Sequence, residues 1–297
     1  MGDMKTVVYG EAVAFGAASI INAIALGCGA TFGVDLKTEA RVTLTTNSPK
    51  VSGKILGDPT EDKTLLETAP KTVLRCFGLV KKYGAYVETE SEIPIARGMK
   101  SSSVAANAIV LATLAAIGKN PSDNTVLNLS VKAALEAKTS ITGAYDDACA
   151  SYFGGVVITN NKRRTILKRG KMPKRLAVLF HIPPQKSYTH RANATNIQFF
   201  SKLVKKAFEK ALENQYLKAL TMNGIIHSVA LGLDGRPAIA ALNGGAEAAG
   251  ISGKGPATVV LVGQDRIKSV LESLQQFDGK ILATSLNTKK SYIVRSE

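Results

Sequence analysis

The run Pro94-Ile95-Ala96-Arg97-Gly98-Met99-Lys100-Ser101-Ser102-Ser103 places a glycine, a lysine and three serines directly ahead of the alanine-rich Val104-Ala105-Ala106-Asn107-Ala108. A loop that opens a helix in this way aims unpaired backbone N–H groups and the positive end of the helix dipole at one point, which suits a phosphate. Gly98 allows a close backbone approach or a positive φ. The serine hydroxyls can donate to phosphate oxygens or ligate Mg²⁺, and Lys100 adds a full positive charge. The same residues would also make a serine-capped helix after a proline loop, binding nothing. The segment is neither G-x-x-x-x-G-K-[ST] nor G-x-G-x-x-G, so the two best-known glycine-rich nucleotide loops do not describe it. Further along, Arg191 in Ser187-Tyr188-Thr189-His190-Arg191 is a candidate to hold a carboxylate through two parallel N–H donors. His181, His190 and His227 show no metal-ligand spacing.

Several elements must position these groups. Lys5–Ala14 reads as a strand. Gly16–Gly33, rich in Gly and Ala, reads as a short helix and a turn. Val34–Thr45 alternates apolar and polar residues and predicts a half-buried strand. Lys71–Lys82 has helical spacing with Gly84 as its stop, and Ala85–Ile93 alternates again as a strand. Helices are expected over Ser102–Ile117 and Pro121–Thr139. A hairpin of Val156–Thr159 and Thr165–Lys168 follows. Strands at Arg175–His181, Ala257–Val262 and Lys280–Thr284 alternate with helices near 199–212 and Asp265–Phe277. Strands and helices in both halves point to an α+β protein of two domains, divided near residue 160 by the charged hairpin.

The chain has 297 residues, 45% of them hydrophobic and 21% charged, which is ordinary for a soluble globular protein with a sizeable core. No apolar run is long enough for a membrane span and no secretory leader is evident, so a cytoplasmic protein with no membrane partner is expected. Three cysteines without a CxxC pair argue against a disulfide framework or a thiolate metal site. The net charge of +15 fits anionic small substrates or nucleic acid. The densest basic run, Lys162–Arg175, lacks interleaved aromatic residues that would stack bases. A small-molecule site with no nucleic-acid partner is therefore the expectation, and a basic nucleic-acid-binding protein is the alternative.

The Pro94–Ser103 segment resembles the second motif of the GHMP kinase superfamily, P-x-x-x-G-L-G-S-S-A: Pro94, Gly98, Ser101 and Ser102 match in register. Met99, Lys100 and Ser103 depart from it, and the form G-[LM]-K-S-S-S-x-x-x-N-A is similar to the archaeal-type shikimate kinases within that superfamily. The resemblance implies a two-domain GHMP kinase fold. Residues 1–160 would be the N-terminal domain carrying the phosphate loop, and 161–297 a C-terminal ferredoxin-like α/β sandwich. It implies ATP and Mg²⁺ as cofactors, shikimate as acceptor with homoserine as the rival, and a monomer or homodimer. The nucleotide would lie on Pro94, Ile95, Ala96, Arg97, Gly98, Met99, Lys100, Ser101, Ser102 and Ser103. Thr142–Gly155 is similar to the superfamily segment that supplies a catalytic acid ahead of a Gly-Gly pair. Asp147 lies seven residues before Gly154 and is the better match, with Asp146 as a rival; both would otherwise cap the following helix. By superfamily spacing, Glu136, eleven residues before Asp147 (147 − 136), would bind the metal together with Ser102 or Ser103. Gly250–Val260 looks like the third, glycine-rich motif, with Gly253 and Gly255 on the substrate side. Gly10, Glu11 and Ala12 stand where the first, substrate-side motif belongs. The pattern P-G-R-V-N is missing, which argues against galactokinase and mevalonate kinase.

Overall fold

The computed structural model describes residues 8–46, 48–140, 143–173, 175–185 and 194–296. Strands β1 (Val8–Ile21) and β2 (Cys28–Thr45) form a long antiparallel hairpin, paired from Val8↔Leu44 to Ile21↔Ala30. From Ala12 onward every residue of β1 is buried. A strand covered on both faces loses the polar–apolar alternation that marks a half-exposed one. Gly16–Ile21, expected to be helical, is therefore strand; its small side chains fit the space between packed layers, and only 22–27 turns. The second half of β2 alternates as expected, with Val34, Leu36, Ala40, Val42 and Leu44 buried.

β2 changes partner along its length. Thr38–Thr45 pairs with β4 (Gly84–Ser91), whereas Cys28–Phe32 pairs with β5 (Val156–Asn160). β3 (Val51–Ile55) runs parallel to β4, β6 (Thr165–Gly170) pairs with β5, and β11 (Tyr292–Ser296) pairs with β1, giving a seven-stranded sheet. The expected division at 160/161 thus does not follow the sheets. Backbone hydrogen bonding carries β6 and β11 into the N-terminal layer.

Helices α1 (Thr64–Cys76), α2 (Ser101–Ala116), α3 (Asp123–Glu136) and α4 (Tyr145–Phe153) pack together and against this sheet. α2 is buried almost all round, which is why its sequence is apolar on every face. α1 starts earlier than expected and ends at Cys76, with Gly78 (φ 71°) supplying the left-handed stop expected of Gly84.

A second, antiparallel sheet has the order β10-β7-β9-β8, with β7 Leu176–Ile182, β8 Ala248–Ile251, β9 Thr258–Gly263 and β10 Lys280–Ser285. α7 (Tyr216–Leu231), α8 (Arg236–Asn243) and α9 (Ile267–Leu274) pack on it, while α5 (Ala194–Phe199) and α6 (Ser201–Leu212) pack on α7, with α6 also against β1 and β2. α7 packs on both β8 and β1, joining the two layers. One buried cluster runs from Ala12 and Ile21 through α2 to Val178, Phe180, Val259 and Leu261. A smaller cluster of Leu179, Ala241, Val260, Val262, Val270 and Leu274 lies under α8 and α9.

Candidate active site

The loop ahead of α2 leads directly into the helix. Lys100 stands at the N-cap in the left-handed region (φ 66°, ψ 18°), and its carbonyl accepts the amides of Ser103 and Val104 at 3.0 and 3.2 Å. Among the described residues, the amides of Ser101 and Ser102 have no partner, so two free donors and the positive helix end lie at the start of α2. Gly98 has φ 81°, and a Cβ there would lie 2.5 Å from the Ser252 carbonyl oxygen and 2.8 Å from that of Gly255, so only glycine fits. Ser252 Oγ donates to the Gly98 carbonyl at 3.0 Å, and the Ala257 amide to that of Arg97 at 3.0 Å. The glycine-rich turn before β9 therefore backs the loop before α2. Buried Met99 anchors the loop, and Arg97 Nη1 donates to the carbonyls of Pro183 and Pro184 at 3.1 and 2.6 Å.

Asp146 and Asp147 occupy the first turn of α4, where the helix dipole favours negative charge. Both are buried. Lys100 Nζ lies 2.9 Å from each Asp147 carboxylate oxygen, in a pair about a tenth exposed on both sides. Thr31 Oγ1 of β2 is 3.1 Å from Asp146 Oδ2 and 3.1 Å from Asp147 Oδ1. Asn161 Nδ2 donates to Asp146 Oδ1 at 2.7 Å, and Asn161 Oδ1 accepts from Thr159 Oγ1 at 2.6 Å and from the Asp146 amide at 3.2 Å. Burial first, and then the Asp147 charge, push the Asp146 carboxyl up to about 6; Lys100, Asn161 and Thr31 work against that rise. Lys254 lines the same cleft. Burial and the nearby Lys100 lower it to about 8 against the pull of Asp147. Lys100 and Ala144, which line this cleft, both carry positive φ without being glycine.

Asn22, Ala23, Ile24, Ser140, Ala144 and Gly253 complete the lining. Asn22 Nδ2 donates to the Gly253 carbonyl at 2.7 Å, and the Gly253 amide donates to Ser19 Oγ at 3.2 Å. Four distant segments of sequence thus meet: the β1–β2 turn, the loop before α2, the start of α4 and the turn before β9.

Lys100, Asp146, Asp147 and Gly253 come together as expected, with Ser101, Ser102 and Ser103 in the adjoining first turn of α2. Gly255 (φ 67°) sits behind that cluster against Leu233. Other expected residues lie elsewhere. A Cβ at Gly10 would touch Ala112 and Ala116, so Gly10 packs against the far part of α2. Ala112 is eleven residues from Ser101 (112 − 101), about 16 Å along the helix axis. Glu11 is bound by Arg41 at 3.0 Å, and Ala12 is a core residue. Gly10, Glu11 and Ala12 are thus not among the residues that line the cleft. β1 continues as strand past Ala14 and delivers Ser19 and Asn22 to the cleft instead. Glu136, at the end of α3, accepts from Thr72 Oγ1 at 2.7 Å and faces Arg75 at 3.4 Å; it is not among the cleft-lining residues. Arg191, with Ser187–His190, lies outside the described residues. Thr31, Asn161, Asn22 and Lys254 were not singled out from sequence. The available signal was a polar residue inside or just after an apolar strand pattern.

Among the described residues, no group of three or more His, Cys, Asp and Glu converges as a metal site, and no helix is long and apolar enough to cross a membrane. The arrangement provides an anion cradle at a helix mouth, a lysine reaching from that cradle to a carboxylate, and a proton-accepting pair: the requirements of phosphoryl transfer to a hydroxyl.

The comparisons agree with that chemistry. The model of the GHMP kinase N-terminal domain matches residues 65–155. Solved structures of similar fold include a homoserine kinase from Cytophaga hutchinsonii, with TM-score 0.74, 16% identity and 99% of each chain covered. The Leishmania major mevalonate kinase in complex with R-mevalonate is also similar, with TM-score 0.73, 15% identity, and 97% of this chain and 98% of that one covered. The chain belongs to the GHMP kinase family, a family of phosphotransferases. Within it, the chain is similar to the shikimate kinase of Methanococcoides burtonii, at 42% identity over 281 residues, covering 94% of this chain and 96% of that one.

Proposed function

We propose that this chain transfers the γ-phosphoryl group of ATP to the 3-hydroxyl of shikimate, a step toward chorismate and the aromatic amino acids. The observation that carries the reading is the Lys100–Asp147 pair, which joins the anion cradle before α2 to the carboxylates on α4 within 2.9 Å. Similarity to shikimate kinases along nearly the whole chain supports the choice of acceptor. The triphosphate tail lies over the open amides of Ser101 and Ser102, and Lys100 and Lys254 offset its charge. Asp147 takes the proton of the attacking hydroxyl while the cleft holds that oxygen in line with the γ-phosphorus. The hydroxyls at the helix mouth are hard oxygen donors that fit Mg²⁺; Ser102 or Ser103 would hold it, and Glu136 stands as the candidate carboxylate ligand. Bound there, Mg²⁺ would offset part of the phosphate charge. Arg191 stands as the candidate for the acceptor's carboxylate.

The test is an ADP-release assay with shikimate, homoserine and mevalonate as separate acceptors, with and without Mg²⁺. ADP formation that depends on shikimate supports the reading. Turnover on homoserine with none on shikimate overturns the acceptor, and no transfer to any of the three overturns the assignment of these residues to this chemistry.

A further inference from the structure

A threonine hydroxyl has one proton, yet Thr31 Oγ1 lies 3.1 Å from an oxygen of Asp146 and 3.1 Å from an oxygen of Asp147. Its single proton cannot make a full hydrogen bond to both. If both carboxylates were ionised, two anions would share that one proton. Both contacts become full hydrogen bonds only when one carboxyl group is itself protonated and donates to Thr31 while Thr31 donates to the other.

The surroundings decide which carboxyl group that is. Asp147 is ion-paired with Lys100 Nζ at 2.9 Å. Asp146 is 3% exposed and its polar partners are neutral: the Asn161 amide and Thr31. The oxygen that takes the proton is fixed as well. Asn161 Oδ1 is committed to the Thr159 hydroxyl and the Asp146 amide, so its NH₂ must face Asp146 Oδ1. The free position is Oδ2, which faces Thr31. Oδ2 also lies beside Gly29, where a Cβ would come within 2.2 Å of it, so the absence of a side chain at 29 keeps that oxygen in place.

We propose that Thr31 relays the proton taken from the acceptor hydroxyl, so that it passes from Asp147 to Asp146 Oδ2 and rests there. This rests on the kinase reading above. Asp146 enters the cycle ionised, its proton given up to water, and the arrangement with a protonated Asp146 is the one reached after transfer. As the acceptor oxygen bonds to phosphorus, its O–H bond breaks and Asp147 gains the proton. Asp147 then passes a proton to Thr31 Oγ1 as Thr31 passes its own to Asp146 Oδ2. Asp147 is again an anion beside Lys100, and Asp146 is neutral until it returns the proton to water. Thr31 and Asn161 are positioning residues in this scheme. The charged and titratable groups around Asp146 are Asp147 and Cys149 on α4, Lys100 before α2 and Lys254 before β9. Burial pushes Asp146 up to about 6, which suits a resting place for the proton near neutral pH.

The test compares the wild type with Thr31→Val and Thr31→Ser, using the pH dependence of kcat and kcat/KM in the ADP-release assay. A ¹³C-aspartate NMR titration of the ligand-free proteins accompanies it, with the Asp146 signal identified through Asp146→Asn. The wild type is expected to lose activity as the pH falls through about 6, with an Asp146 carboxyl signal that titrates in the same range. Thr31→Ser keeps the acid limb. Thr31→Val loses it, and kcat drops tenfold or more while the KM for ATP changes less than threefold. A Thr31→Val enzyme with the wild-type limb and kcat within twofold of wild type overturns the relay. So does an Asp146 signal with no titration between pH 5 and 7. If no acceptor turns over, the kinase reading fails, but the NMR titration still decides where the proton sits. If Thr31→Val does not fold, Thr31→Ser and the wild-type titration decide the matter.

Discussion

Replacing Asp147 by asparagine removes one charge and almost no volume from the centre of the site. The amide keeps an oxygen for Lys100 Nζ, 2.9 Å away, and for Thr31, 3.1 Å away, so the local frame survives. What is lost is the anion that accepts the proton. A positioned general base contributes about 10²–10⁴ in rate, so kcat is expected to fall by that factor, about 3–5 kcal/mol in the barrier. Breaking a buried ion pair by truncation costs about 3–5 kcal/mol of stability, and the retained amide oxygen keeps the loss below that. The nucleotide cradle is built from the amides of Ser101 and Ser102, which Asp147 does not touch, so ATP affinity should change only a few-fold. The Asp147 charge is one cause of the high Asp146 value and it supports the Lys254 charge. In the variant, Asp146 should therefore titrate below about 6 and Lys254 below about 8. Single-turnover ADP release, calorimetric titration with ATP and a melting curve measure the three effects. A folded Asp147→Asn protein with turnover within tenfold of wild type would refute the role assigned to this carboxylate.

Gly98→Ala should weaken ATP binding more than tenfold, because the new Cβ meets the Ser252 carbonyl at 2.5 Å and drives the loop off its support; unchanged affinity by calorimetric titration would contradict this. If the Lys254 charge assists transfer, activity should fall as pH rises through about 8, and Lys254→Arg should push that limb to higher pH; a limb that stays in place speaks against Lys254. His227 is held down to about 4, chiefly by burial, against an ordinary 6.5. Between those values the unfolded chain binds a proton that the folded protein does not, so stability is lost as pH falls from 6.5 toward 4, by about 3 kcal/mol at most. Asp146 has the opposite sign: its contribution is present below about 4 and is lost as pH rises through about 6. In His227→Gln the urea midpoint should therefore fall less between pH 7 and 4.5 than in the wild type, and an unaltered pH dependence would dismiss the assignment.

The parts of the site legible in the sequence are those whose chemistry and local structure share one short segment. Gly98, Lys100 and the serines before an alanine-rich helix describe their own loop, and Asp146-Asp147 announces its own helix start. The remaining residues act through distant partners. Thr31 is an ordinary β-branched residue in a strand until α4 places two carboxylates beside its hydroxyl. Asn161 reads as part of a basic turn until its amide meets Asp146. The reach of β1 to Ser19 and Ile21 is not legible, because a strand buried on both faces shows no alternation. α7 was missed for a similar reason: a helix wedged between two layers is apolar nearly all round and has no stripe to find.

The buried cluster that runs from β1 to Leu261 has a thermodynamic consequence. Neither layer owns enough interior to persist once the other is gone, so heat should melt the whole as one cooperative transition in a calorimeter. The cleft is assembled from strands and turns of both layers, so catalytic competence and global integrity should vanish at the same temperature.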